Sequence, residues 1–354
     1  MKTVILLLLS SFILSIGSCG GPLLLRLYFI HGGQRIWFSS WLQTAGFPII
    51  LLPLTITYIH RRRLTNRLPP STSPHKPTFF TIKPRLFLTC VVIGILSGLD
   101  SYLYAYGMAR LPVSTSSLII ATQLAFTAGF AFVLVKQKFN WYSVTAVVLL
   151  TVGAGILAVH SGGDRPVNES NREYVIGFLM TLAAAAVYGF ILPLIEFGYR
   201  KARQQITFGL VMETQVVILL FATGFCTVGM LLNNDFKAIP REAKEYELGE
   251  IKYYLVVVFS AVVWQFNLLG VVGVIFTASS LLSGIILAVL LPITEVLAVI
   301  FYKEKFQILK GVSLAISLMG FASYFYGEMK ESKKQAKTPI AQSQSIDIFQ
   351  VPNP

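Results

Sequence analysis

Apolar residues run through this chain in long unbroken blocks, separated by polar connectors that are mostly short. A helix crossing a bilayer needs about 20 mostly apolar residues. By that measure ten blocks qualify: 4–29, 37–59, 86–108, 113–135, 141–160, 174–195, 207–231, 253–275, 279–301 and 308–326. They are continuously apolar rather than alternating at every second position, which argues against a transmembrane β-barrel. Backbone groups in lipid must pair internally, so a helical bundle remains. The first block opens like a secretory leader, with Lys2, an apolar run and the small residues Ser18-Cys19-Gly20. Its apolar run carries on to Phe29, broken only by Arg26. It therefore outlasts a leader's apolar core of about 7–15 residues, and is expected to stay as a helix. The predicted fold is an all-α polytopic membrane protein of ten helices.

Composition agrees. Of the 354 residues 55% are hydrophobic and 13% charged, whereas a soluble domain carries about 25% charge. A net charge of +13 would suit a nucleic-acid partner, yet the cations sit in the connectors, densest at Arg61, Arg62, Arg63 and Arg67. That distribution marks cytoplasmic loops and speaks against nucleic acid. The side holding both termini collects 17 Lys and Arg and the other side 12, so both termini are expected in the cytosol. The basic, proline-rich connector 60–85 then lies inside, and residues 330–354 form a disordered cytosolic tail. Connector 232–252, of mixed charge, lies outside with the glycosylation sequon Asn168-Glu169-Ser170. Cys19, Cys90 and Cys226 all fall in apolar blocks and suggest neither a disulfide nor a metal site.

A weak repeat adds architecture. Thr115-Ser116-Ser117-Leu118 and Ala278-Ser279-Ser280-Leu281 open the fourth and ninth blocks; Lys136-Gln137-Lys138-Phe139 and Lys303-Glu304-Lys305-Phe306 close them. The offsets of 163 and 167 residues differ by about one helical turn. The copies are five blocks apart, an odd number, so the halves insert in opposite senses. The expected division is 1–160 with helices one to five, 161–329 with helices six to ten, and the tail. Inverted five-helix repeats are a transporter architecture, with the substrate near mid-membrane between the halves.

Carboxylates inside spans cost about 2.5–3.5 kcal/mol each and therefore point to function. Asp100, Glu196, Glu213 and Glu295 are the candidates. Asp100 and Tyr104 are four apart and share a helix face, with Tyr102 and Tyr106 on a neighbouring one. The eighth block carries Trp264, Gln265 and Asn267, Gln123 lies midway along the fourth, and Glu213 opens the seventh. Amides among aromatics suit a flat heteroaromatic ligand: the ring stacks on Trp or Tyr, and Asn or Gln pairs with its edge. Amides also join helices to one another in lipid. Proteolysis finds no support. An aspartyl mechanism needs two membrane aspartates and only Asp100 qualifies; a serine mechanism needs a membrane His, and His31, His60, His75 and His160 lie at or beyond block ends. With no phosphate loop or zinc cluster, neither an enzyme nor a cofactor is expected. An exchanger of nucleotide sugars or phosphate esters would need cations within the blocks, which are almost absent. A receptor that binds without transport is the other alternative.

Several motifs carry a resemblance. The segment from His31 to Pro48 (HGGQRIWFSSWLQTAGFP), Pro112 to Thr127 (PVSTSSLIIATQLAFT), Met212-Glu213-Thr214-Gln215, Trp264-Gln265 and Phe301 to Phe306 (FYKEKF) together resemble plant purine permeases. The resemblance spans about residues 20–326. It implies a drug/metabolite transporter fold of ten helices in two inverted halves. It also implies proton-coupled import of adenine, cytokinins and related nitrogen heterocycles, some members taking alkaloids or vitamin B6 forms. Phe47 stands where the family signature usually has another aromatic, and Phe266-Asn267-Leu268-Leu269 is poorer in aromatics than usual, so Asn267 is a candidate for tuning substrate choice. The expected site takes Trp37 or Trp264 and the Tyr102/Tyr104 wall for stacking, and Gln43, Gln123, Gln265 and Asn267 for orientation. Asp100 or Glu213 is expected to load the coupled proton. The plasma membrane is preferred over the vacuolar membrane.

Overall fold

The computed structural model describes residues 2–65, 81–135, 141–159, 170–202, 208–277, 280–303 and most of 308–331. The sequon, the motif at 136–139, most of the motif at 303–306, and the tail beyond 331 lie outside the described residues. Among the described residues the regular structure is entirely α-helical. Seven stretches are long and apolar enough to cross a membrane: Val4–Ile30, Ile36–Ile59, Pro84–Arg110, Thr115–Leu134, Asn171–Tyr199, Gly209–Leu232 and Glu250–Val271.

The helices follow the apolar blocks, with two interruptions and one addition. Helix α1 (Lys2–Ile30) fills the first block. The second block, expected as one helix, is two: α2 (Ile36–Thr44) and α3 (Pro48–Thr65), joined by a turn at 45–47. Pro48 has no N–H to give and disfavours a helical residue before it, so the ladder restarts there. After α4 (Pro84–Arg110), the fourth block is likewise divided, into α5 (Val113–Ile120) and α6 (Gln123–Val135). Here the Thr122 hydroxyl and amide both turn back to Ile119 O, at 2.6 and 3.0 Å. A side chain competing for backbone partners interrupts the helix without proline.

Helices α7 (Trp141–Val159), α8 (Asn171–Ala202) and α9 (Phe208–Leu232) follow. The connector 232–252 then holds an unexpected helix, α10 (Asp235–Glu245), entered through Asn234 in the left-handed conformation. Helices α11 (Glu250–Thr277) and α12 (Ser280–Tyr302) complete the set.

The closest packing joins distant parts of the chain. Helix α1 lies antiparallel along α11 over a seam of small residues: a β-carbon on Gly17 would overlap the Asn267 backbone, and one on Gly270 the Leu14 backbone. Glycine seams of this kind let helices approach closely where lipid supplies no hydrophobic drive. Helix α4 runs between α8, antiparallel, and α9, parallel. Arg26 is buried within α1 and donates to Met108 O at 3.0 Å, near the C-terminus of α4. A cation there meets carbonyls that lack helical partners.

Candidate functional site

Three groupings of polar side chains stand out, and they differ in how far their hydrogen-bonding capacity is filled. At the α10 end, buried Glu242 accepts from the hydroxyls of Tyr28 and Tyr253, the latter at 3.0 Å, and from Gln34 N at 3.1 Å. Arg35 bridges the two acids of α10, 3.8 Å from Glu242 and 3.6 Å from Asp235. His31 meets Glu247 at 3.0 Å, and Tyr246 donates to Leu27 O at 3.0 Å. Burial raises the Asp235 carboxyl above its ordinary range, with Asn233 and Arg35 opposing the shift. Burial, reinforced by Glu242 and Glu247, pushes the Tyr246 hydroxyl up to about 12. The amphipathic α10 is thus tied to the α1–α2 loop, the segment that begins the His31–Pro48 motif. The mixed charge of 232–252 was visible in the sequence, but its partners Tyr28 and Gln34 lie about 200 residues away.

Halfway through the bundle the second grouping is open. Gln43, at the end of α2, donates to Ser101 O at 3.3 Å, and its carbonyl accepts from Gln265 Nε2 at 3.3 Å. Gly46, in the turn, lies directly against Gln265. Trp264 packs over Gly21 and meets Tyr104 edge-on, with ring centroids 5.9 Å apart. Three buried polar atoms here have no partner among the described residues: Trp264 Nε1, Gln265 Oε1 and Asn267 Oδ1. Each such atom costs about 1–3 kcal/mol. Trp264 and Asn267 face α1 and Gln265 faces the α2–α3 turn, so the open valences surround one level of α11 rather than one side of it.

Asp100 lies at this level on α4, within electrostatic reach of Tyr104 and of Tyr188 on α8. All three sit deep in the bundle while keeping accessible surface, so they border an internal space. Gln123, the first residue of α6, is close by, because its carbonyl lies against Gly189 next to Tyr188.

Tyr102 and Tyr104 do not form one wall. Two residues apart on a helix, they point about 200° from one another. Tyr102 stacks on Trp37 at 4.1 Å and an interplanar angle of 27°, while Tyr104 turns to Trp264. The Trp37 ring lies over Gly229 of α9, where any β-carbon would overlap it. Tyr106 continues the Tyr102 face, with the Arg110 guanidinium 3.9 Å above its ring.

Glu213 belongs to a third place. It is fully buried near the start of α9 and accepts from Thr81 N at 2.6 Å and from the Thr81 hydroxyl at 3.0 Å. Next to it Tyr199 and Thr214 share a 2.6 Å hydrogen bond, above an apolar cluster of Leu86, Cys90, Ile93, Ile191, Leu210, Val217 and Ile218. Cys226 Sγ is 3.8 Å from Gly98 O, which sets Asp100 level with that part of α9. Glu213 is about 13 residues earlier, or about 20 Å along the axis. The side chains of Glu196 and Glu295 lie outside those described.

Known proteins supply an independent comparison. A family model described as purine nucleobase transmembrane transport matches residues 5–334. Purine permease 3 of Arabidopsis thaliana is 54% identical over 349 residues, 99% of this chain and 98% of the relative. Purine permease 2 of the same plant is 50% identical, again over 99% and 98%. Probable purine permease 5 is 37% identical over 96% of this chain and 90% of its own length. One solved crystal structure of a protein shares the fold, with a TM-score of 0.52 at 14% identity over 91% of this chain and 99% of that one. An integral membrane protein by its apolar helices, the chain belongs to the purine permease family of purine nucleobase transmembrane transporters.

Proposed function

We propose that this protein is a proton-coupled importer of purine-type nitrogen heterocycles, such as adenine, cytokinins and related bases or alkaloids, working by alternating access in the plasma membrane. The observation that carries the reading is the trio of buried polar atoms without partners, Trp264 Nε1, Gln265 Oε1 and Asn267 Oδ1, beside a helix interrupted at 45–47. A purine presents donors and acceptors around a flat edge, which an amide reads in pairs, and faces that stack on aromatic rings. Interrupted helices at mid-depth are where secondary transporters hold their cargo. The printed names of the relatives, purine permeases 2 and 3, agree with that class.

In this mechanism Tyr104 and Trp264 hold the ring, and Gln265 and Asn267 read its edge. Gln43 and Gln123, each at a helix interruption, close around it. Trp37 and Tyr102 act from the far face of α4: their stack clamps α2 and so fixes where Gln43 stands. Asp100 loads the proton, because it borders the internal space and has no ion pair among the described residues. Neutralising it removes the cost of a buried charge and favours rocking between the inverted halves. Glu213, held by Thr81, keeps the cytosolic end shut. Arg26, bound to Met108 O, is engaged in structure, which weighs against an anionic cargo.

The test is uptake of radiolabelled adenine by cells expressing the wild type or Asp100→Asn. The variant is expected to lose uphill accumulation at least tenfold while still exchanging labelled for unlabelled substrate across the membrane. Full accumulation that still collapses with an uncoupler would rule Asp100 out.

A further inference from the structure

We propose that Tyr188 of α8 is the positioning residue for Asp100, its hydroxyl alternating between the carboxylate and the cargo as Asp100 gains and loses its proton. The inference rests on the assignment of the coupled proton to Asp100.

The packing of α4 on α8 fixes the register. Gly107 of α4 meets Thr181 of α8, and Gly198 of α8 meets Thr89 of α4. Antiparallel helices in that register set Tyr188 opposite Asp100, and the two are within electrostatic reach. The approach is held from both sides. Ala184 and Ala185 are buried just before Tyr188, and a β-carbon on Gly189, just after it, would overlap Phe126 of α6. Tyr188 therefore stands between α4, which carries Asp100, and the interruption that begins α6 at Gln123.

The groups around Asp100 are few. From its own helix the titratable neighbour is Tyr104, one turn on. Of the helices packed on α4, α8 supplies Tyr188; α9 presents Cys226 to Gly98 O on another face. Helix α2 brings the neutral Gln43 to Ser101 O, α1 brings Arg26 two turns away at Met108 O, and α5 has no titratable side chain. Tyr104 is already set edge-on against Trp264, which leaves Tyr188 as the hydroxyl that reaches Asp100 from a second helix.

A tyrosine hydroxyl both donates and accepts. Towards an ionised Asp100 it donates, favouring the charged form. Once the carboxyl is protonated, the acid can itself donate, and the Tyr188 proton is released for an acceptor on the heterocycle. Proton and cargo then compete for one hydroxyl in opposite senses, so that loading the first prepares the site for the second. A chain of this kind couples two sites through a discrete two-position element.

The experiment measures initial adenine uptake between pH 5 and 8 for the wild type, Tyr188→Phe, Asp100→Asn and the double variant, with equilibrium exchange as a check that each is folded. Without the hydroxyl the ionised carboxylate loses a donor, so the midpoint of the uptake–pH curve for Tyr188→Phe is expected to move upward by roughly half a unit or more. Exchange is expected to stay within about threefold of wild type. In the Asp100→Asn background, Tyr188→Phe is expected to change neither pH dependence nor uptake further. An unshifted curve for Tyr188→Phe, or an equal effect of the substitution with and without Asp100, would overturn the proposal while leaving the proton assignment standing. Wild-type pH dependence in Asp100→Asn would overturn both.

Discussion

Two polar clusters built from the same residue types behave in opposite ways in this bundle. Around Glu242, two tyrosines, a backbone amide and Arg35 converge on a buried acid and fill its acceptor sites. Around Gln265, amides and an indole are buried as deeply, yet Trp264 Nε1, Gln265 Oε1 and Asn267 Oδ1 are left without partners among the described residues. The first holds α10 and the α1–α2 loop together. The second carries a cost that a folded chain sustains when something else supplies the missing partners. Buried polarity alone, then, does not mark a binding site in a membrane helix bundle; unfilled polarity does.

The strongest way to break this comparison is to empty the filled cluster. Glu242→Leu leaves Tyr28, Tyr253 and Gln34 N without their acceptor and Arg35 without one of its two acids. Removing one partner of such a network costs about 3–5 kcal/mol. The expected result is a sharp fall in surface yield and in the thermal midpoint of the purified protein, with a near-normal KM in whatever folds. A variant of wild-type stability with altered KM would move function to the α10 end.

The opposite substitution sharpens the contrast. Gln265→Met keeps the length of the side chain while removing the unfilled Oε1 and one 3.3 Å bond to Gln43 O. Stability is expected to change by no more than about 1 kcal/mol. The KM for adenine uptake should rise tenfold or more, equivalent to about 1.4 kcal/mol of binding. If the thermal midpoint falls as far as in Glu242→Leu and KM is untouched, the open valences are structural.

A smaller effect concerns pH. Because burial raises the Asp235 carboxyl, the folded chain holds that proton at pH values where the unfolded chain has released it. Stability from this group is therefore greatest in acid and declines as pH rises from the ordinary carboxyl range to the raised one. Thermal midpoints measured across that window should fall less steeply with rising pH in Asp235→Asn than in the wild type. Parallel curves would show that Arg35 and Asn233 cancel the desolvation.

Much of the helical plan was legible. Seven of the apolar blocks correspond to stretches long enough to span a membrane, and their connectors fall where charge concentrates. The interruptions were harder to read. A window of about 20 residues averages over Ala45-Gly46-Phe47, all apolar, and over Thr122, whose effect depends on a 2.6 Å bond to Ile119 O. Helix α10 escaped for the converse reason: it is too polar to register as a span, and its apolar face is covered by Tyr28 and Tyr253 from other helices. Of the site, the residue types were visible but their grouping was only partly so. Helical geometry alone separates Tyr102 from Tyr104, whereas the placing of Asp100 and Glu213 about 20 Å apart needed the parallel register of α4 on α9. Tyr188 had no signal in the sequence, since its meaning comes from the residue opposite.

The seam between α1 and α11 also limits how such a protein can diversify. Where Gly17 meets the Asn267 backbone and Gly270 meets Leu14, neither side has anything smaller to offer, so enlargement on one helix has no compensating change on the other. Those positions are closed to experiment by mutation, natural or designed. The side chains of Trp264 and Asn267 stand on the same helix but make no hydrogen bond that the fold depends on. A rigid spine thus carries exchangeable fittings, and a lineage of such carriers can acquire new cargoes by changing the fittings while the frame that moves them stays as it is.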